Sequence, residues 1–139
     1  MNSCLLCAKC CEQTEMLLAN EDVERIKKQT NLPIQKFSYI KDGYLYLKNK
    51  KMKGKKIKNK KKYCVFLNYE TKKCSIYVIR PIGCRYYPII YDPFLKNCIV
   101  DKDCTNKENV QTNLVSCPEL QKFILLLERE RNNRIILQL

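Results

Sequence analysis

The chain has 139 residues, 27 Lys and Arg against 14 Asp and Glu, no histidine and three glycines, for a formal net charge of +13. That length supports one domain with a modest core. The missing histidine excludes Ser/His/Asp and Cys/His nucleophiles, and the scarcity of glycine excludes a phosphate-cradling loop. Ten cysteines in so short a chain leave two readings, a disulfide framework or thiolate metal ligation.

Cys4, Cys7, Cys10 and Cys11 come first and form a CxxCxxCC run. A CxxC step turns both sulfurs toward one ion, because the two intervening residues make a tight knuckle. Adjacent Cys10 and Cys11 diverge in either a helix or a strand, so they point to two metal positions, or to one metal and one buried thiol. Were the segment helical, Cys4, Cys7 and Cys11 would share a face with Cys10 beside it. The residues ahead of the run carry no basic n-region, apolar h-region or cleavage site, so a cytoplasmic protein is expected, with metal ligation favoured over disulfides. The apolar run from Phe123 to Leu127 is far below the roughly 20 residues of a membrane span.

Thr14 to Leu18 reads as a short extended stretch. Asn20 then reads as an N-cap, with Glu21 and Asp22 in the first turn of a helix running to about Thr30 and Val23 and Ile26 on its buried edge. Pro33 opens a further helical turn. Ser38 to Lys41 and Tyr44 to Leu47 flank Asp42-Gly43, a two-residue type I′ hairpin turn. Tyr39, Tyr44 and Tyr46 suit a half-exposed sheet.

From Lys48 to Lys62 ten of fifteen residues are lysine and none is acidic, so this segment carries +10 of the +13. It is either a solvated, self-repelling loop or hairpin tip, or an electrostatic footprint for nucleic acid or an acidic protein, with Lys53, Lys55, Lys56, Lys58 and Lys60 as candidate phosphate contacts. Tyr63 to Leu67 reads as a third strand or extended turn, and Cys74 to Tyr77 follows. Cys84 sits in Arg80-Pro81-Ile82-Gly83-Cys84-Arg85, whose proline and glycine mark a tight bend or short helical turn. Ser116 and Pro118 open a C-terminal helix with Leu120, Phe123, Ile124 and Leu127 on one face, a stripe suited to core or to a dimer seam.

The two cysteine blocks resemble the YkgJ-type cysteine-cluster family, a zinc- or iron-chelating domain. The first block is the CxxCxxCC run. The second is matched by Cys64, Phe66, Leu67, Cys74, Ile76, Tyr77, Arg80, Pro81, Cys84, Arg85, Tyr86, Tyr87 and Pro88. Cys117-Pro118 looks like the family's late CP element. The resemblance covers roughly residues 1 to 120, leaves the lysine run as an insertion at 48–62, and leaves residues 118–139 as a helix packed on the domain. A related cysteine block occurs in a larger flagellin lysine methylase.

An α+β fold follows as the expectation: a short antiparallel sheet around residues 38–78, helices flanking it, and cysteine-rich loops tied by metal. All ten cysteines, Cys4, Cys7, Cys10, Cys11, Cys64, Cys74, Cys84, Cys98, Cys104 and Cys117, are candidate ligands. Arg80 and Arg85 bracket Cys84, where a guanidinium would either offset thiolate charge or pair with a surface carboxylate. Thiolates suit a closed zinc site and an iron–sulfur cluster alike, with a lean to iron–sulfur from the ferredoxin-like CxxCxxC opening. The expected function is a small metal-binding protein in redox or cluster-carrier work. The alternatives are a zinc-stabilised module that binds nucleic acid or a protein partner through its lysines, and a methyltransferase-like enzyme.

Overall fold

The computed structural model describes residues 11–12, 14–51, 62–102, 104 and 117–138. Cys4, Cys7 and Cys10 lie outside the described residues, as do Lys53, Lys55, Lys56, Lys58 and Lys60. The fold is α+β. Its described helices are α1 (Asn20–Thr30), α2 (Ile82–Tyr86) and α3 (Cys117–Leu137). Its strands are β1 (Ser38–Lys41), β2 (Tyr44–Leu47), β3 (Asn49–Lys51), β4 (Lys62–Cys64), β5 (Leu67–Asn68), β6 (Lys73–Cys74), β7 (Ile89–Asp92) and β8 (Asn97–Val100).

The single sheet expected around 38–78 is instead divided. Among the described residues each strand pairs antiparallel with its sequence neighbour, giving four two-stranded ladders, β1–β2, β3–β4, β5–β6 and β7–β8. The strands are only two to four residues long, and two of the ladders are extended by isolated bridges, Leu17 to Tyr46 of β2 and Glu12 to Tyr63 of β4. The β1–β2 turn is as its residues dictate. Asp42 and Gly43 both take positive φ, 55° and 83°, and Tyr39 stands opposite Tyr46. Glycine is required there twice over, since a Cβ on Gly43 would lie 2.9 Å from the Ile135 side chain of α3.

Residues 16 to 18 run extended along β2, where the Leu47 amide donates to Met16 O at 2.9 Å and the Leu18 amide to Leu45 O at 2.8 Å. Helix α1 begins one residue earlier than an Asn20 cap implies. Ala19 is the cap, its amide donates to Asp22 Oδ2 at 2.9 Å, and the Asn20 amide donates to the Glu130 carboxylate of α3 at 2.8 Å. At the other end Asn31 adopts the left-handed conformation and donates to Lys27 O, closing the helix.

Two apolar clusters hold these parts together. The first gathers Leu18, Val23, Ile26, Phe37, Leu45, Leu47, Tyr63, Cys64, Phe66, Leu67 and Ile76. The second gathers Ala19, Leu120, Phe123 and Leu127 under α3, with Ile89, Tyr91 and Tyr86 against them. Leu120, Phe123 and Leu127 recur at the helical period, so one stripe of α3 meets β7, β8 and β2. No helix among the described residues is long and apolar enough to cross a membrane.

Candidate metal centre

Three of the described cysteines gather at the first cluster and the other four stand apart from it. Cys64, at the end of β4, is 4% exposed and belongs to the first cluster, with half-buried Cys11 and Cys74 packed on its edge. An antiparallel bridge pairs Glu12 with Tyr63, so Cys11 and Cys64 are the next residues on either strand in the same direction along the pair. A second fastening lies beside it. Asn49, opposite Cys64 in the β3–β4 register, accepts from the Thr14 amide at 3.0 Å and donates to Thr14 O at 2.8 Å. The chain leaving the N-terminal cysteine run is thus sewn to the hairpin that carries Cys64. Cys74 reaches the same cluster from β6, where it pairs with Leu67.

Cys84 lies half-buried on α2. Its turn is held from beneath by α1. Asp22, 0% exposed, accepts from the Ile82 amide at 3.0 Å and from Arg25 at 2.7 Å. Arg25 also donates to Ile79 O at 3.2 Å and Arg80 O at 3.0 Å. A carboxylate with three donors and a guanidinium with three acceptors leave the residue 79–82 backbone little freedom, which fixes where Cys84 can stand. The extended segment touches the same turn, since a Cβ on Gly83 would meet Met16 Sδ at 2.4 Å and Leu17 O at 3.8 Å. Sequence reasoning read Asp22 as a first-turn acid and did not single out Arg25; the signal available was their i, i+3 spacing, which also marks ordinary surface pairs.

Arg80, expected to offset thiolate charge or to pair with a carboxylate, lies 4.1 Å over the Tyr77 ring and donates to Tyr77 O at 2.9 Å. Arg85 is exposed. Cys98 and Cys117, both read as ligands, are joined in a disulfide with a Cα separation of 5.7 Å, so in this form their sulfurs are bonded to each other and are not thiolate donors. The cause is architectural. Strand β8 and the first turn of α3 pack together around the second cluster, which brings the two side chains within bonding reach. Cys104 is buried, its amide donating to Asp101 O at 3.1 Å. Among the described residues no three Cys, Asp or Glu side chains converge closely enough to hold a metal.

A cleft of about 800 Å³ opens between the extended segment, α2, β7 and α3. Glu12 and Asp101 stand on its rim, with Tyr86 and Phe123 among its apolar walls, and Tyr87 donates to Asp101 at 2.9 Å.

Buried Cys64 and, beside it, half-buried Cys11 and Cys74 belong to the two cysteine blocks that mark a metal-chelating class of protein. The chain belongs to the CxxCxxCC family, described as "Putative zinc- or iron-chelating domain", whose pattern matches residues 3–118. It is similar to the uncharacterised protein MJ0661 of Methanocaldococcus jannaschii, 30% identical over 87 residues that make up 61% of this chain and 43% of the relative. The chain therefore spans less than half of that relative's length. No solved structure matches it.

Proposed function

We propose that the chain binds its metal through thiolates drawn from Cys4, Cys7, Cys10, Cys11, Cys64, Cys74, Cys84 and Cys104, and that the bound group is an iron–sulfur cluster used for electron transfer or cluster delivery. The observation that supports this reading is the fastening of Glu12 and Thr14 to the β3–β4 hairpin, through the Glu12–Tyr63 bridge and the Asn49–Thr14 pair, with Cys11 packed on the cluster that holds Cys64 and is edged by Cys74. Because the described donors alone make no site of three, completing a tetrahedral thiolate set calls on Cys4, Cys7 or Cys10.

The donor chemistry fits. A chain without histidine offers soft sulfur, which suits iron–sulfur clusters and zinc, and the apolar side chains around Cys64 keep water from such a group. An iron–sulfur cluster supplies one-electron transfer at a potential set by charge, hydrogen bonds and burial. The protein's part is to orient the sulfurs. Asp22 and Arg25 do so for Cys84, and Asn49 and Thr14 do so for the chain at Cys11 and Cys64.

The test is metal and acid-labile sulfide per chain on protein purified without oxygen, read with its visible spectrum. Iron with matching sulfide is expected. Zinc without sulfide would make the cysteines a structural site and overturn the redox reading, and no metal at all would overturn both.

A further inference from the structure

We propose that the outer face of the β1–β2 hairpin, with the lysines that lead away from it, binds single-stranded nucleic acid. Leu45 and Leu47 are 5% and 2% exposed, so the alternation of β2 turns Tyr44 and Tyr46 to the opposite face. The register sets Tyr39 against Tyr46 and Lys41 against Tyr44. The rings of Tyr39 and Tyr46 lie 5.3 Å apart and only 12° from parallel, and Tyr39 is 39% exposed. Together they form a flat aromatic step open to solvent.

The step is braced from the side. Tyr44 meets Tyr46 edge-on at 6.5 Å, donates its hydroxyl to Glu128 and sits under the Arg131 guanidinium at 5.0 Å. Glu128 of α3 is therefore already engaged, and Asp42 lies in the turn at the end of the hairpin away from Lys48 and Lys50. A ring held in place loses little rotamer freedom when a base stacks on it.

The same chain direction then turns basic. Lys48 follows Tyr46 by two residues, Lys50 by four, and Lys51 pairs with Lys62 across β3–β4. Lys50, Lys51 and Lys62 are all exposed. A polyanion laid along this line meets stacking surface at one end and these lysines at the other. Bases with exposed faces fit the step, whereas a duplex hides those faces in its own stack. Lysine makes point-charge contacts and none of the forked hydrogen bonds that read base edges, so little sequence preference is expected. This inference stands independently of which metal the cysteines hold.

The experiment is fluorescence anisotropy of a labelled oligothymidylate of about 16 nucleotides with the full, metal-replete chain, titrated at salt from about 50 to about 200 mM. Affinity should fall steeply with salt. Tyr39→Ala should weaken binding about ten-fold at every salt concentration without changing the slope, and Tyr39→Phe should restore it. Lys50→Gln with Lys51→Gln should instead flatten the slope by about one per lysine removed. Absence of binding at the lowest salt, an unchanged affinity in Tyr39→Ala, equally tight binding of duplex, or equal competition by polyglutamate would each overturn the proposal.

Discussion

The two apolar clusters are built from similar side chains but are secured by different means, and the difference separates what packing does in this chain from what sulfur does. Around Phe37, Leu47 and Phe66 the walls are strands of two to four residues and one helix of three turns, and thiols sit in the packing itself. Under α3 one 21-residue helix covers the cluster, and the disulfide from Cys98 to Cys117 ties its first turn to β8. Farther along α3 a clasp continues the hold. Glu130 caps the N-terminus of α1, while Arg134 donates to Gly43 O at 2.9 Å and to Asn20 at 2.6 Å. Burial lowers the Arg134 pKa and Glu130 opposes that shift; the cation stays charged and holds three elements at once. Short strands bury too little to stand alone, so under the proposed thiolate site the first region is the one that would depend on metal.

Breaking the thiol-rich side should have the largest effect. Metal removal with chelator alone, which leaves the Cys98–Cys117 disulfide intact, is expected to raise hydrogen exchange across residues 14–18 and 62–76 while the amides of residues 120–130 stay protected. Equal protection in both regions would erase the contrast.

The second side is tested by Cys98→Ser. Opening a loop of 19 residues' separation should cost about 3 kcal/mol in denaturant unfolding while leaving metal content unchanged. A loss of metal in this variant would place Cys98 among the ligands after all.

Asp22 lies where the two regions meet, between Ala19 of one cluster and Val23 of the other. In Asp22→Asn the amide would face the Ala19 and Ile82 N–H groups and Arg25, and a loss of about 2 kcal/mol is expected by chemical denaturation. Because the same change loosens the turn before Cys84, metal should also leave faster in a chelator chase.

The smallest effect concerns pH. The hydrogen bond to Glu128, followed by burial and the Glu128 charge, raises the Tyr44 pKa above its usual value near 10, with Arg131 opposing. A folded pKa above the unfolded one means that the unfolded chain releases this proton first as pH rises. The contribution is therefore complete below pH 10 and is lost as pH climbs through the raised value. Tyr44→Phe should flatten the decline of melting temperature at alkaline pH, and an unchanged profile would remove Tyr44 from the clasp.

Local signals were legible wherever one segment decides its own form. Asp42-Gly43 declared its turn, Val23 and Ile26 the buried edge of α1, and Leu120, Phe123 and Leu127 the face of α3, because backbone preference and hydrophobic period act within a few residues. The β7–β8 hairpin was missed. Its turn rests on the Asp92 side chain accepting from the Phe94 and Leu95 amides at 2.8 and 3.2 Å, a signal that Asp92-Pro93 carried only faintly. With that hairpin went the Cys98–Cys117 pairing, since connectivity depends on which elements pack and not on spacing. Asp22 was seen as a helix-dipole partner, yet its burial comes from residues 79–82, some sixty positions away. The cysteine pattern, in contrast, was enough to place the chain in its family over residues 3–118.

The most direct test compares metal content per chain in the wild type, Cys64→Ser and Cys98→Ser, all purified without oxygen. Bound metal in the wild type, its loss in Cys64→Ser and its retention in Cys98→Ser are predicted. Equal metal in all three, or none in the wild type, would contradict a thiolate centre seated in the first cluster.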